Sequence, residues 1–169
     1  MRRFSKIIGL GMTLAAALIF TGDASAATLR LLPSARTFTI GQEFTVDLLL
    51  DTDNASINTT EAAVNFPNGI VEFVSASRTG SIFSFWLEEP TISSQKDSVS
   101  FIGGTPRGVA GDALKILSLT FKTTGVGAAD ISLSNASVSA ADGKGSNVLS
   151  KIVGTNVMVR SAVAMPEPL

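Results

Sequence analysis

Between Thr28 and Arg160 the apolar residues of this chain recur at every second position in short runs, and no stretch sustains the 3.6-residue period of a helix. Phe44, Val46 and Leu48 alternate with Thr45 and Asp47. Ala62, Val64 and Phe66 alternate with Ala63 and Asn65 before a Pro67-Asn68-Gly69 turn. Val71 with Phe73, Val99 with Phe101, Leu117 with Leu119 and Phe121, Ile131 with Leu133, and Val157 with Val159 repeat the pattern. A period of two puts alternate side chains on opposite faces of a strand, so each run has one face for a core and one for water. Many such runs, separated by Gly, Pro, Asn and Asp, predict an all-β fold, an antiparallel β-sandwich. Its core is expected to hold Phe44, Val46, Val64, Phe66, Phe73, Phe101, Leu119 and Phe121.

The first residues follow a different rule. Arg2, Arg3 and Lys6 precede an apolar run from Ile7 to Phe20, and Ala24-Ser25-Ala26 supplies the small residues that a signal peptidase requires. Residues 1–26 therefore read as a signal peptide, and the chain as secreted or held at the cell surface. The run falls short of the roughly 20 apolar residues that span a bilayer, and no span is expected in the mature chain. Cleavage after Ala26 leaves 143 of the 169 residues, with 27–160 as one domain. Met165-Pro166-Glu167-Pro168-Leu169 has no strand pattern and reads as the start of a Pro-rich tail or linker.

Composition then narrows the chemistry. After the leader, ten basic residues face 13 acidic ones, which gives no positive stripe for nucleic acid. The chain has no Cys, so a hydrophobic core alone must hold the exported domain together. It has no His either, which removes Ser–His and Cys–His nucleophile pairs and His-based metal sites. Glu88 and Glu89 are the carboxylates that invite a glycosidase reading. Neighbours in a strand point to opposite faces, so the two cannot flank one glycosidic bond. Asp51-Thr52-Asp53-Asn54 and the loop from Asp142 to Asn147 are rich in oxygen ligands. Neither has the carboxylates that calcium needs, and Asx-turns account for both. No cofactor and no catalytic residue is expected.

The order of segments is similar to that of one known family. A Gly-led strand (Gly41 to Leu50) is followed by a strand ending Asn65-Phe66-Pro67, then Ser81-Ile82-Phe83-Ser84-Phe85-Trp86. Ser100-Phe101-Ile102-Gly103-Gly104 comes next, then Gly111 leading into Ile116 to Lys122, and finally Ala141 to Asn147. This resembles a cohesin or cohesin-like domain over Thr28 to Arg160. The resemblance implies a nine-stranded jelly-roll sandwich related to carbohydrate-binding modules. It also implies a non-catalytic role, with a calcium-loaded dockerin as partner, docked on one flat sheet face.

Parity and the resemblance together give a candidate face. With Ala62, Val64 and Phe66 inward, Thr59, Glu61 and Asn65 point outward, as do Ser98 and Ser100, and Ser118, Thr120 and Lys122. The cohesin pattern implies that these three strands are neighbours in one sheet, with Glu61 and Lys122 as the charges of the face. In the run from Ile82 to Leu87, the Phe83, Phe85 and Leu87 side is expected to face the core. Trp86 is then exposed as a partner-binding aromatic. A polysaccharide is the alternative partner, and a structural surface or adhesion domain with no site is the third reading.

Overall fold

The computed structural model describes residues 26–162; the leader and the Pro-rich tail lie outside them. The described residues contain eleven strands and no helix. The strands are β1 (Ala27–Pro33), β2 (Thr37–Thr39), β3 (Glu43–Asp51), β4 (Ile57–Asn65), β5 (Val71–Ser77) and β6 (Phe85–Ile92). They continue with β7 (Ser98–Val109), β8 (Leu114–Thr123), β9 (Gly127–Ala140), β10 (Leu149–Val153) and β11 (Thr155–Arg160). They form two sheets, one of five strands in the order β10-β1-β3-β8-β5, the other of six in the order β2-β11-β9-β4-β7-β6. The all-β sandwich expected from the alternation is what forms.

Two details differ from the expectation. The sheets are mixed, because β10 runs parallel to β1 and β2 parallel to β11. Those same two short edge strands bring the count to eleven rather than nine. Three and five residues long, they carry too little alternation for a period-two signal to register.

The core sits between the sheets, where inward positions of both meet. Val46, Leu119 and Phe121 come from the five-stranded sheet, and Val64 and Phe101 from the six-stranded one; all are at most 1% exposed. Phe44 and Phe66 are buried with them, and Phe73 is half-buried against the same cluster. Phe121 is the hub of the aromatic packing. Its ring centroid lies 5.7 Å from that of Phe44, 5.0 Å from Phe66 and 6.2 Å from Phe73. Stacked and edge-on contacts at such distances add to the burial of area alone.

Truncating Phe121 removes a fully buried ring and leaves a cavity between the sheets. Phe121→Ala is expected to destabilise the domain by about 3 to 5 kcal/mol. Thermal or urea unfolding of the variant checks this, and a transition unchanged from the parent would contradict the packing.

Candidate functional site

β9, β4, β7 and β6 are consecutive neighbours in the six-stranded sheet and share one outer face. β4 presents Thr59, Glu61, Ala63 and Asn65 there, because Thr60, Ala62 and Val64 are turned into the core. β7 adds Ser98, Ser100 and Ile102 by the same parity, paired across the ladder with Asn65, Ala63 and Glu61. Asn65 Nδ2 donates to Ser134 Oγ on β9 at 2.9 Å, and Ser137 Oγ donates to Glu61 Oε1 at 3.1 Å. At Ala62 the pairing with β9 slips. Asn135, at that slip, has φ 48°, a left-handed conformation that Asn tolerates better than most residues. The bulge turns Asn135 toward Glu61. Together with Ala63, Glu88, Ser100 and Ile102 they line a shallow depression of about 200 Å³.

Ser118, Thr120 and Lys122 are not on this face. They project from β8, which pairs with β3 and β5 in the opposite sheet. Parity separates inward from outward, but both sheets obey it, so it cannot say which outer face a residue joins. The chain crosses from one sheet to the other between β7 and β8, through Gly111 at φ 153° and Ala113 at φ 52°. Glu61 and Lys122 therefore lie on opposite sides of the sandwich. On its own face Ser118 donates to Asp47, whose carboxylate is also held by Lys115 Nζ at 3.0 Å. Lys122 stands between Glu43 and Glu72 across the two ladders.

Trp86 also differs from the expectation. β6 begins only at Phe85, so the alternation read through Phe83 does not run on into the strand. Trp86 turns inward and packs edge-on against Phe83 and Phe101, at centroid distances of 6.1 and 5.9 Å. Arg78 lies 5.7 Å from its ring centroid and pairs with Glu89 at 2.6 Å. The outward residues of this stretch are Phe85 and Leu87, the latter 72% exposed. Gly103-Gly104 makes this possible. A Cβ on Gly103 would meet Phe83 at 2.7 Å, and one on Gly104 would meet Phe85 at 2.6 Å, so aromatics lean on β7 from both sides. Glu88 and Glu89 both lie in β6. Glu88 Oε1 accepts from Ser100 Oγ at 2.6 Å, while Glu89 engages Arg78.

Among solved structures this sandwich is similar to a non-cellulosomal cohesin from the hyperthermophilic archaeon Archaeoglobus fulgidus. The TM-score is 0.65 at 15% identity, over 80% of this chain and 92% of that one. A cohesin module of a family 33 glycoside hydrolase from Clostridium perfringens gives 0.64 at 10% identity, over 82% and 98%. The cohesin of a type I cohesin–dockerin complex from Clostridium thermocellum gives 0.67 at 9% identity, over 81% and 95%. The chain has the cohesin fold. No family model and no curated protein matches the sequence, so the likeness is carried by the backbone.

Of the two oxygen-rich loops, the one from Asp142 is closed by its own hydrogen bonds, whereas Asp51 does not form the Asx-turn expected of it. The Asp142 carboxylate accepts from the Ser146 hydroxyl and from the N–H groups of Lys144 and Gly145, the Asx-type turn expected there. The Ser146 hydroxyl first, and the Lys144 N–H next, hold it well below the ordinary 3.8, at about 2. Asp51 is held differently, across the fold rather than within its own loop. Burial pushes it up, but the Ala113 N–H and the Arg30 guanidinium outweigh that and lower it. Arg30 Nε donates to Asp51 at 2.9 Å. Among the described residues, no three or more acidic side chains gather as a metal site.

Two outcomes follow from these contacts. Gly103→Ala should lower stability by about 1 to 3 kcal/mol, the range for overpacking, and should enhance or shift Trp86 fluorescence as its packing loosens. The Asp142 carboxylate binds protons less readily folded than unfolded, so its contribution is complete above about pH 4 and lost as pH falls through about 2. The melting temperatures of the parent and Asp142→Ala should therefore differ at neutral pH and converge near pH 2.

Proposed function

We propose that this chain is an exported, non-catalytic binding module that receives a dockerin-type protein on the outer face of β9, β4, β7 and β6. The observation that carries the reading is the fold shared with cohesins solved in complex with dockerins. The face itself supports it. Thr59, Asn65, Ser98 and Ser100 give donors and acceptors without bulk, which suits a partner helix laid across strands. Interfaces of this kind gather apolar anchors at the centre and polar groups at the rim, and Phe85, Leu87 and Ile102 stand beside those hydroxyls. Trp86, the one Trp of the chain, faces inward and is not placed to stack on a sugar ring, which weighs against the polysaccharide alternative. Export rests on the leader, with 27–160 as the delivered domain and the Pro-rich residues as a tail or linker. No helix among the described residues is long and apolar enough to cross a membrane.

The test uses steric blocking on one face and not the other. Ala63→Arg places a long side chain at the middle of the proposed face, and Thr120→Arg does the same on the five-stranded sheet. Titration calorimetry against a panel of dockerins should show binding abolished or weakened at least tenfold by the first change and unaltered by the second. The reverse pattern would move the site to the other sheet. Binding to soluble polysaccharides with no dockerin binding would replace the reading by its alternative. N-terminal sequencing of secreted protein should begin at Ala27.

A further inference from the structure

On the docking face, the register places two carboxylates on either side of one aliphatic residue. Glu61 and Glu88 are both paired with Ile102, Glu61 from β4 and Glu88 from β6. All three side chains line the depression described above. Each carboxylate is oriented by a serine: Ser137 Oγ donates to Glu61 Oε1, and Ser100 Oγ to Glu88 Oε1. In both, the second oxygen has no hydrogen-bond partner among the described residues, and neither group forms an ion pair there. Asp47, Asp51 and Glu89, by contrast, are each paired with Lys115, Arg30 or Arg78. Leu87 and Phe85 stand on the same strand as Glu88, 72% and 38% exposed.

We infer that this row receives one basic side chain, Lys or Arg, of the docked protein, with an apolar residue beside it seated on Phe85 and Leu87. The inference deepens the docking reading and rests on it. A basic side chain has an aliphatic stem and a charged head, and the row matches both parts. The stem lies along Ile102, and the head donates charge-assisted hydrogen bonds to the free oxygens of Glu61 and Glu88. Two like charges flanking one residue favour a cation at long range as well as in contact, so the pair also speeds and orients encounter. A divalent metal is a poorer occupant, because two carboxylates that each already accept a serine hydroxyl supply too few oxygens. A neutral sugar would leave two negative charges uncompensated under the ligand.

The test has one arm that needs no dockerin. The full chain, labelled with nitrogen-15, is titrated with N-acetyl-arginine amide, N-acetyl-lysine amide and the neutral N-acetyl-citrulline amide. The two cations should shift the amide signals of Ser100, Ile102 and Asn135, weakening as salt is added. Citrulline should not, and Glu61→Gln with Glu88→Gln should remove the effect while leaving the melt unchanged. Equal shifts with citrulline, or shifts that map elsewhere, would overturn the inference and leave the docking reading standing. In the second arm the same double variant is titrated with a dockerin that binds the parent. A loss of roughly 30-fold or more is expected for a desolvated interfacial charge, and unchanged affinity would overturn the inference. Arginine binding in the first arm, with no dockerin of the panel binding the parent, keeps the cation site and defeats the docking reading.

Discussion

The structure depends on the ring of Phe121. It projects from β8 of the five-stranded sheet and meets Phe66, which follows β4 of the other sheet, at 5.0 Å. Phe44 extends the same stack to Phe38 of β2, at 4.3 Å, so an aromatic cluster ties the two sheets at one end of the sandwich. With no Cys in the chain, no covalent staple shares that task. The domain holds its sheets together by buried area and ring geometry alone. One consequence is functional: most large apolar groups lie between the sheets, and the outer face of β9, β4, β7 and β6 sets small hydroxyls and charges beside a few exposed apolar residues, Phe85 and Leu87 among them.

Those two outer faces differ in how their charges are satisfied. On the five-stranded sheet Asp47 is held by Lys115 and Ser118, Asp51 by Arg30, and Lys122 stands between two acids. A partner arriving there would have to break existing pairs. On the six-stranded sheet Glu61 and Glu88 are braced only by serine hydroxyls, which orient a carboxylate without neutralising it. Exposed pairs contribute little to stability, so the contrast has little to do with holding the fold together. It bears on what each face can accept: on the six-stranded face Glu61 and Glu88 flank one residue with no ion-pair partner among the described residues.

The alternation of apolar residues made the fold class and the core legible, since a two-residue period has one physical reading once a sheet buries one face. Phe44, Val64, Phe101 and Phe121 are inward for that reason. What alternation cannot encode is partnership. Ser118 and Ser100 obey the same parity and sit on opposite sides of the molecule, because the crossing at Gly111 to Ala113 is set by loop conformation rather than by any pattern in β7 or β8. Trp86 shows a second limit. Parity holds only inside a continuous strand, and a run counted from Phe83 crosses the start of β6 at Phe85. The Asn135 bulge is a third case, visible only when two strands are laid side by side. In sequence Glu88 stands beside Glu89, and a strand turns the two to opposite faces. The neighbour of Glu88 in space is Glu61, 27 positions earlier, brought close by the shared register of Ile102.

The core and the proposed docking face are coupled through Gly103 and Gly104. Trp86 and Phe83 lean on the inner side of Gly103, while Phe85 lies over the outer side of Gly104. Bare backbone at these two positions lets β6 sit close to β7 with aromatics on both surfaces, and that closeness carries Glu88 into the row with Ile102 and Glu61. The shape of the face is thus fixed from beneath by the same strand pair that closes the core. A Cβ at Gly104 would meet not only Phe85 but the backbone oxygen of Asn58 at 2.9 Å, which no rotamer change relieves. An added methyl there would press β7 away from β4, the strand that carries Glu61. Two glycines without side chains of their own therefore set the spacing of Glu61 and Glu88, the two carboxylates proposed to receive a partner's charge.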